Sequence, residues 1–216
     1  MRIVVITPTR GDRPQFMEHC RWLVRQQTLQ PDEHIVIDYP PVSDTPDYYD
    51  RALTGLTQAM RGDGKTLAMF FEDDDYYRRD YVSTMHEQWK AHGEPSVFGA
   101  FGRYMYNIIS HRYQRPQQYE GSGFTSMSQT AVSEMPAALQ RGEILDIPLW
   151  RAARTRDVFV NHDIFTSIKH QSGLRGTTEH EYTMTHGEQD GPDMPFLRAR
   201  VDPYSFEFYR SLSCGA

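Results

Sequence analysis

Cysteine is scarce in this chain: Cys20 and Cys214 are the only two among 216 residues. They lie far apart, so neither a disulfide framework nor a cysteine metal site is suggested, and a reducing, cytoplasmic setting is the expectation. Long apolar runs are missing as well. No stretch approaches the roughly 18 apolar residues of a membrane span, and the apolar run in MRIVVITPTR is too short for a signal peptide. No stable membrane insertion is expected. Nor is there an excess of positive charge: 23 Lys and Arg against 29 Asp and Glu give a net charge of -6 and a pI near 5.8. That balance argues against a surface that coats nucleic acid in general, although a local basic groove is compatible with it. A phosphate-binding P-loop is also absent, since GDGKT at 62–66 matches only its end and precedes a strand instead of following one. HDIF and TEHE lack the H-E-x-x-H spacing of a zinc protease. No internal repeat is present.

What is there fits one globular domain over residues 1–216, with 38% hydrophobic and 24% charged residues. RIVVITPT (2–9) is a β-branched apolar run stopped by Pro8, read as a buried strand. Residues 14–30 place Pro14 first, then Phe16, Cys20, Leu23 and Val24 at helical spacing. HIVIDY (34–39) reads as a second strand, 47–61 as a helix with Ala52, Leu53, Leu56 and Met60 on one side, and TLAMFFE (66–72) as a third strand. A helix over 80–92, a strand region over 96–109, a cleft-bordering loop at about 110–130, a short helix at 131–141 and another within 144–156 follow, with an extended segment at 174–193. Alternation of this kind predicts an α/β fold with a mostly parallel central sheet and flanking helices. Ligands in such sheets bind beyond the carboxyl ends of the strands, so TPTRGDR, Asp38 and EDDD are expected along one edge.

FFEDDDYYRR (70–79) carries the chemistry. Four successive carboxylates after a buried strand repel one another and are hard to hydrate, so a positive partner is required. Hard oxygens suit a divalent cation that leaves coordination positions for a diphosphate. The plain alternative is a solvated acidic turn paired with Arg78 and Arg79.

TPTRGDR after strand one, Asp38 after strand two and the acid cluster after strand three together resemble the N-terminal half of a family 2-like glycosyltransferase with the GT-A fold. The resemblance covers roughly residues 1–110 well and the remainder loosely. It implies a GT-A-like domain, a DxD-type motif holding Mn2+ or Mg2+, and a nucleoside-diphosphate sugar donor, with a UDP-sugar ahead of the others. Thr7 and Pro8 then match the loop lining the nucleotide pocket, and Asp38 the acid that meets the base. The usual second acid and Gly-Ser after that position are replaced by IDYPPVSD. Arg51 falls near a helical basic residue that approaches the nucleotide; pairing with Asp47 one turn back is the structural alternative. Arg10 and Arg13 are diphosphate candidates. The acid cluster offers two registers, Glu72-x-Asp74 and Asp73-x-Asp75; Asp73 and Asp75 are favoured as metal ligands.

The second half, residues 111–216, is expected to bind the acceptor and to end in a lid or loop, with 1–110 holding the donor. ILDIPLW places Asp146 where inverting members carry a general base, with Leu145 in place of the usual first acid and Glu143 as a nearby substitute. Asp146 as a helix N-cap is the structural alternative. Of the nine His, His170 in SIKHQSGLRG resembles a histidine supplied to the metal by a C-terminal segment, and Lys169 a phosphate contact. Trp150, Tyr104, Tyr106 and Phe124 are stacking or core candidates. Arg103, His111, Arg112 and Arg115 form a basic patch able to receive a polyanionic acceptor. The implied activity is transfer of a sugar to a hydroxyl of a glycan, a small molecule or a modified DNA base. A metal-dependent nucleotidyltransferase or phosphohydrolase, and a non-catalytic carbohydrate- or nucleic-acid-binding protein, are the alternatives.

Overall fold

The structure is a computed structural model that describes residues 1–39, 48–114, 127–135, 146–170 and 186–213, with Asp146 and Ile147 described in their backbone alone. The chain runs through β1 (Arg2–Pro8), α1 (Pro14–Arg25), β2 (Glu33–Ile37), α2 (Tyr48–Ala59), β3 (Thr66–Phe70), β4 (Tyr76–Tyr77) and α3 (Tyr81–Ala91). It continues through β5 (Val97–Phe101), β6 (Tyr104–Asn107), β7 (Arg112–Gln114), a 3-10 turn at Met127–Gln129 and β8 (Thr130–Val132). The last elements are α4 (Asp146–Ala152), β9 (Arg156–Val160), β10 (Phe165–Lys169), β11 (Glu188–Gln189), α5 (Pro195–Arg200) and α6 (Pro203–Ser213).

β1 forms because its β-branched residues fit a strand buried on both faces; Val4, Val5 and Ile6 are wholly buried between two hydrophobic clusters. On one side α1 and α3 contribute Cys20, Leu23, Met85 and Trp89, and each such fully buried large side chain contributes about 2 kcal/mol. On the other side α2 lies directly on β1, because Gly55 leaves room: a Cβ there would come within 2.4 Å of Ile6 Cγ2. α1 starts at Pro14, whose missing N–H is no loss in a first turn, and buries Phe16, Met17, Cys20, Leu23 and Val24 on one face.

Two sheets result, ordered β2-β1-β3-β8-β5-β9 and β11-β7-β6-β10-β4. The expected mostly parallel sheet is corrected to a mixed arrangement. β1 pairs parallel with β2 and β3, and β5 with β9, but β8 runs antiparallel to both β3 and β5. In the second sheet β10–β6 is parallel, while β10–β4, β6–β7 and β11–β7 are antiparallel. The reason lies in the connections: β6 returns into β7 across a short turn with no crossover helix, which permits only an antiparallel pair. The strand region expected at 96–109 is two strands in different sheets, broken at Gly102, which has a φ of +105°. Residues 131 and 132 of the expected 131–141 helix belong to β8 (Thr130–Val132), and 136–145 lie outside the described residues.

Candidate functional site

The carboxyl ends of β1, β2 and β3 lie along one edge, as the topology requires. β3 continues its ladder one residue further, Phe71 N–H donating to the Ile6 carbonyl (2.8 Å). Residues 73–75 then turn back into β4. The turn is fixed from below. The Phe71 and Tyr77 rings stack at 3.8 Å, Glu72 N–H donates to Tyr77 Oη (2.7 Å), and Ile168 N–H in β10 donates to Asp75 Oδ1 (2.7 Å). From α6, Tyr209 Oη donates to the Asp74 carbonyl (3.3 Å).

This turn sorts the four acids. Glu72, Asp74 and Asp75 each bring a carboxylate oxygen into one group, all within 4.8 Å of one another. Asp73 points to the β1–α1 loop instead, where Thr9 Oγ1 donates to Oδ2 (2.7 Å) and Arg13 Nη2 to Oδ1 (2.5 Å). The structure thus gathers the Glu72-x-Asp74 pair with Asp75, and sets Asp73 apart. Arg13 Nη1 donates to Asp74 Oδ2 (3.0 Å), which also lies 2.7 Å from His170 Nε2. Lys169, the last residue of β10, and Arg103 add positive charge near Glu72.

The electrostatics follow from that sorting. Burial, then the Asp74 charge, push Glu72 above the ordinary carboxylate range, against Lys169, Arg103 and a hydrogen bond with Tyr48. Burial, then Glu72 and Asp74, push Asp75 well above it. Burial and Asp74 raise Asp73 to about 6 despite Arg13 and Thr9. Burial would raise Asp74 too, but the Arg13 guanidinium and the His170 hydrogen bond hold it well below the usual range. Asp75 Oδ2 is buried and has no hydrogen-bond partner. A carboxylate oxygen left bare inside a group of hard oxygen donors fits a divalent cation. Glu72, Asp74 and Asp75 are therefore able to hold one, with His170 at the rim.

The remaining expected residues are distributed as follows. Thr7 is fully buried, its Oγ1 at 2.9 Å from His34 Nε2 and 3.6 Å from Cys20 Sγ, and Pro8 closes β1 in the interior. Arg10 Nη2 donates to Asp12 Oδ2 (2.6 Å). Asp38 is exposed just past β2, and its carbonyl touches the β1–α1 loop: a Cβ on Gly11, where φ is +74°, would lie 2.6 Å from that oxygen. Arg51 is buried, donates Nη1 to the Thr9 carbonyl (2.6 Å) and lies 4.8 Å from the Tyr39 ring centre. Asp47, its possible helical partner, lies outside the described residues, as do Glu143, Phe124 and Arg115. Asp146 is the first residue of α4.

Trp150 is 1% exposed and belongs to the core beside β1, and Tyr106 is buried with its hydroxyl donating to Asp190 (3.0 Å). Neither offers a stacking face. Arg112 donates to the Gly187 carbonyl (2.6 Å). The contacts of Thr9 and Arg13 with the acid turn were not foreseen. No local pattern marks them, because they join residues 60 or more positions apart, and the helices α5 and α6 behind the turn were likewise not foreseen.

No family model matches the chain. No curated protein matches it either. Among solved structures, the chain is similar to S. aureus TarS 1-349 in complex with UDP-GlcNAc, with a TM-score of 0.54, 11% identity, and coverage of 99% of this chain and 72% of that one. It is similar to the same protein in complex with UDP at a TM-score of 0.51 and 11% identity, covering 99% and 71%. Against a longer TarS chain the TM-score is 0.50 at 10% identity, covering 99% of this chain and 43% of that one. The likeness is one of fold, a GT-A-like α/β arrangement. No described helix is long and apolar enough to cross a membrane.

Proposed function

We propose that this chain is a metal-dependent glycosyltransferase, moving a sugar from a nucleoside-diphosphate donor to a hydroxyl acceptor. The observation that carries this reading is the carboxylate group Glu72, Asp74 and Asp75 at the carboxyl end of β3, with the buried Asp75 Oδ2 left without a partner. A divalent cation, Mn2+ or Mg2+, is assigned to those oxygens, with His170 as a further donor. When bound, the cation supplies charge neutralisation for a diphosphate leaving group.

The chain's own residues then divide the work. Lys169 adds a positive charge on the phosphate side, and Arg10 borders the same edge from the β1–α1 loop. Asp38 is assigned to the nucleotide base; Arg51 and Thr7, being buried, shape that pocket from beneath. Asp73 holds the loop that carries Arg13. Asp146, at the start of α4, is assigned as the base that takes the proton from the acceptor hydroxyl as its oxygen attacks the anomeric carbon, which makes an inverting displacement the expected stereochemistry. Residues 1–110 serve the donor and 111–216 the acceptor. A UDP-sugar is the first donor to test, since the TarS structures carry UDP-GlcNAc and UDP.

The test is a thermal-shift series of UDP, GDP, CDP, ADP and their sugar forms, each with Mn2+ and with chelator. One nucleoside diphosphate should raise the melting temperature only with metal, and Asp75→Ala should abolish the shift. No shift with any nucleotide, in a folded and metal-replete protein, would sink the donor assignment.

A further inference from the structure

The β1–α1 loop carries Arg13 across the acid turn, and its two guanidinium arms are in unlike situations. Nη2 donates to Asp73 Oδ1 (2.5 Å), and the other oxygen of that carboxylate is taken by Thr9 Oγ1 (2.7 Å). That side is complete. Nη1 donates to Asp74 Oδ2 (3.0 Å) but also lies 3.2 Å from His170 Nε2, itself 2.7 Å from the same Asp74 oxygen. A ring nitrogen cannot serve both neighbours. With a hydrogen it donates to Asp74 and has nothing to offer the Arg13 N–H; without one it accepts from Arg13 and faces the Asp74 oxygen lone pair to lone pair. One of the three contacts is therefore always unfavourable.

The Asp74 carboxylate also belongs to the group suited to a cation. We infer that Arg13 is the resident counter-cation of the acid turn, a positioning residue that a divalent cation displaces from Asp74 while Asp73 retains it. This rests on the metal assignment to Glu72, Asp74 and Asp75. The guanidinium supplies positive charge when no metal is bound, and a doubly charged ion beside it repels it from the shared carboxylate. The Nη2 arm and Asp73 then act as a hinge. Phe16 provides the surface for the movement, since the Arg13 guanidinium lies 5.5 Å from its ring centre and the His170 ring stacks on it at 4.7 Å. The freed Nη1 arm is then available to an anionic group of the donor.

Calorimetric titration with Mn2+ alone, paired with melting temperatures in chelator, tests this on the full chain. Arg13→Gln should melt lower than wild type in chelator yet bind Mn2+ about tenfold more tightly. Arg13→Lys should restore most of both properties. A merely structural arginine predicts the same loss of stability but equal or weaker metal binding, and that result would overturn the inference while leaving the metal assignment intact. If neither wild type nor Arg13→Gln binds Mn2+, both fall. Should Arg13→Gln fail to fold, the wild-type protein decides: its Arg13 side-chain NMR signals must move on Mg2+ titration, and signals that stay fixed while Mg2+ binds would overturn the displacement.

Discussion

Around α1, His19 and His34 are held as neutral rings, His19 buried within the helix and His34 half-buried on β2, with Ser205 Oγ at 3.0 Å and Thr7 Oγ1 at 2.9 Å as their hydroxyl partners. At the carboxyl end of β3, four carboxylates crowd together, Asp73 and Asp75 buried and Glu72 and Asp74 half-buried, with three cations near them, Arg13, Lys169 and Arg103, and one oxygen left bare. Both regions take titratable groups out of water. In the first, the group gives up its charge; each ring keeps one hydroxyl contact, and the neutral His19 Nδ1 is left buried without a partner. In the second, the charge is crowded and only part of it is offset. Neither burial nor one bare polar atom alone marks a working residue; a bare oxygen within a crowd of carboxylates does.

Acid should act on the two regions in opposite directions, and this is the largest effect expected. Burial lowers His19 to about 4 and His34 to about 4, from the usual 6.5. The unfolded chain therefore takes up protons first as pH falls, so stability conferred by the neutral rings is present above pH 6.5 and is lost between there and about 4. At pH 5 the loss is roughly 2 kcal/mol for each ring. Glu72, Asp75 and Asp73, the last to about 6, are raised, so protonating them favours the fold and their contribution moves the other way. Urea unfolding from pH 7 to 5 should show a net loss, and His19→Gln should flatten it. A stability that rises on acidification would mean the acid turn outweighs the histidines.

Within the acid turn, Asp73 and Asp75 repeat the contrast two residues apart. Both are buried, at 1% and 2% exposure. Asp73→Ala strands the Arg13 Nη2 and Thr9 Oγ1 donors, and breaking such a pair from one side should cost about 3 kcal/mol in urea unfolding, with metal or with chelator. A cost below about 1 kcal/mol, the worth of a single net hydrogen bond, would erase the distinction between the two aspartates.

The first half of this architecture was legible because its signals are local. The run IVVI, the helical spacing of Phe16, Cys20, Leu23 and Val24, and the stop at Pro8 each act within one element. From them the strand ends, and so the edge that holds the acids, follow by topology. The register of the acids did not follow. An extended chain presents alternate residues to one side, which favours Asp73 with Asp75; the turn at 73–75 instead gathers Glu72, Asp74 and Asp75. That turn is set by Tyr77, Ile168 and Tyr209, and the last two are more than 90 residues away. The break at Gly102, which sends β5 and β6 into different sheets, was visible only as a glycine within an apolar run.

The smallest effect separates structure from function most sharply. Asp75→Asn keeps an oxygen for the Ile168 N–H and removes a charge that burial, Glu72 and Asp74 all oppose. Because the folded pKa of Asp75 lies above its unfolded value, this carboxylate favours the fold at low pH and ceases to do so as pH rises through the folded value. At neutral pH without metal, its replacement should therefore raise stability by about 1 kcal/mol, whereas most substitutions of a buried polar residue lower it. With Mn2+ at a hundredfold excess over its dissociation constant, wild type should gain about 2.7 kcal/mol and the variant much less, so the order of the two proteins reverses. A crossing of the two unfolding curves on adding Mn2+ is what a carboxylate kept for a cation requires. Parallel curves, with Asp75→Asn the weaker under both conditions, would return Asp75 to the same class as Asp73.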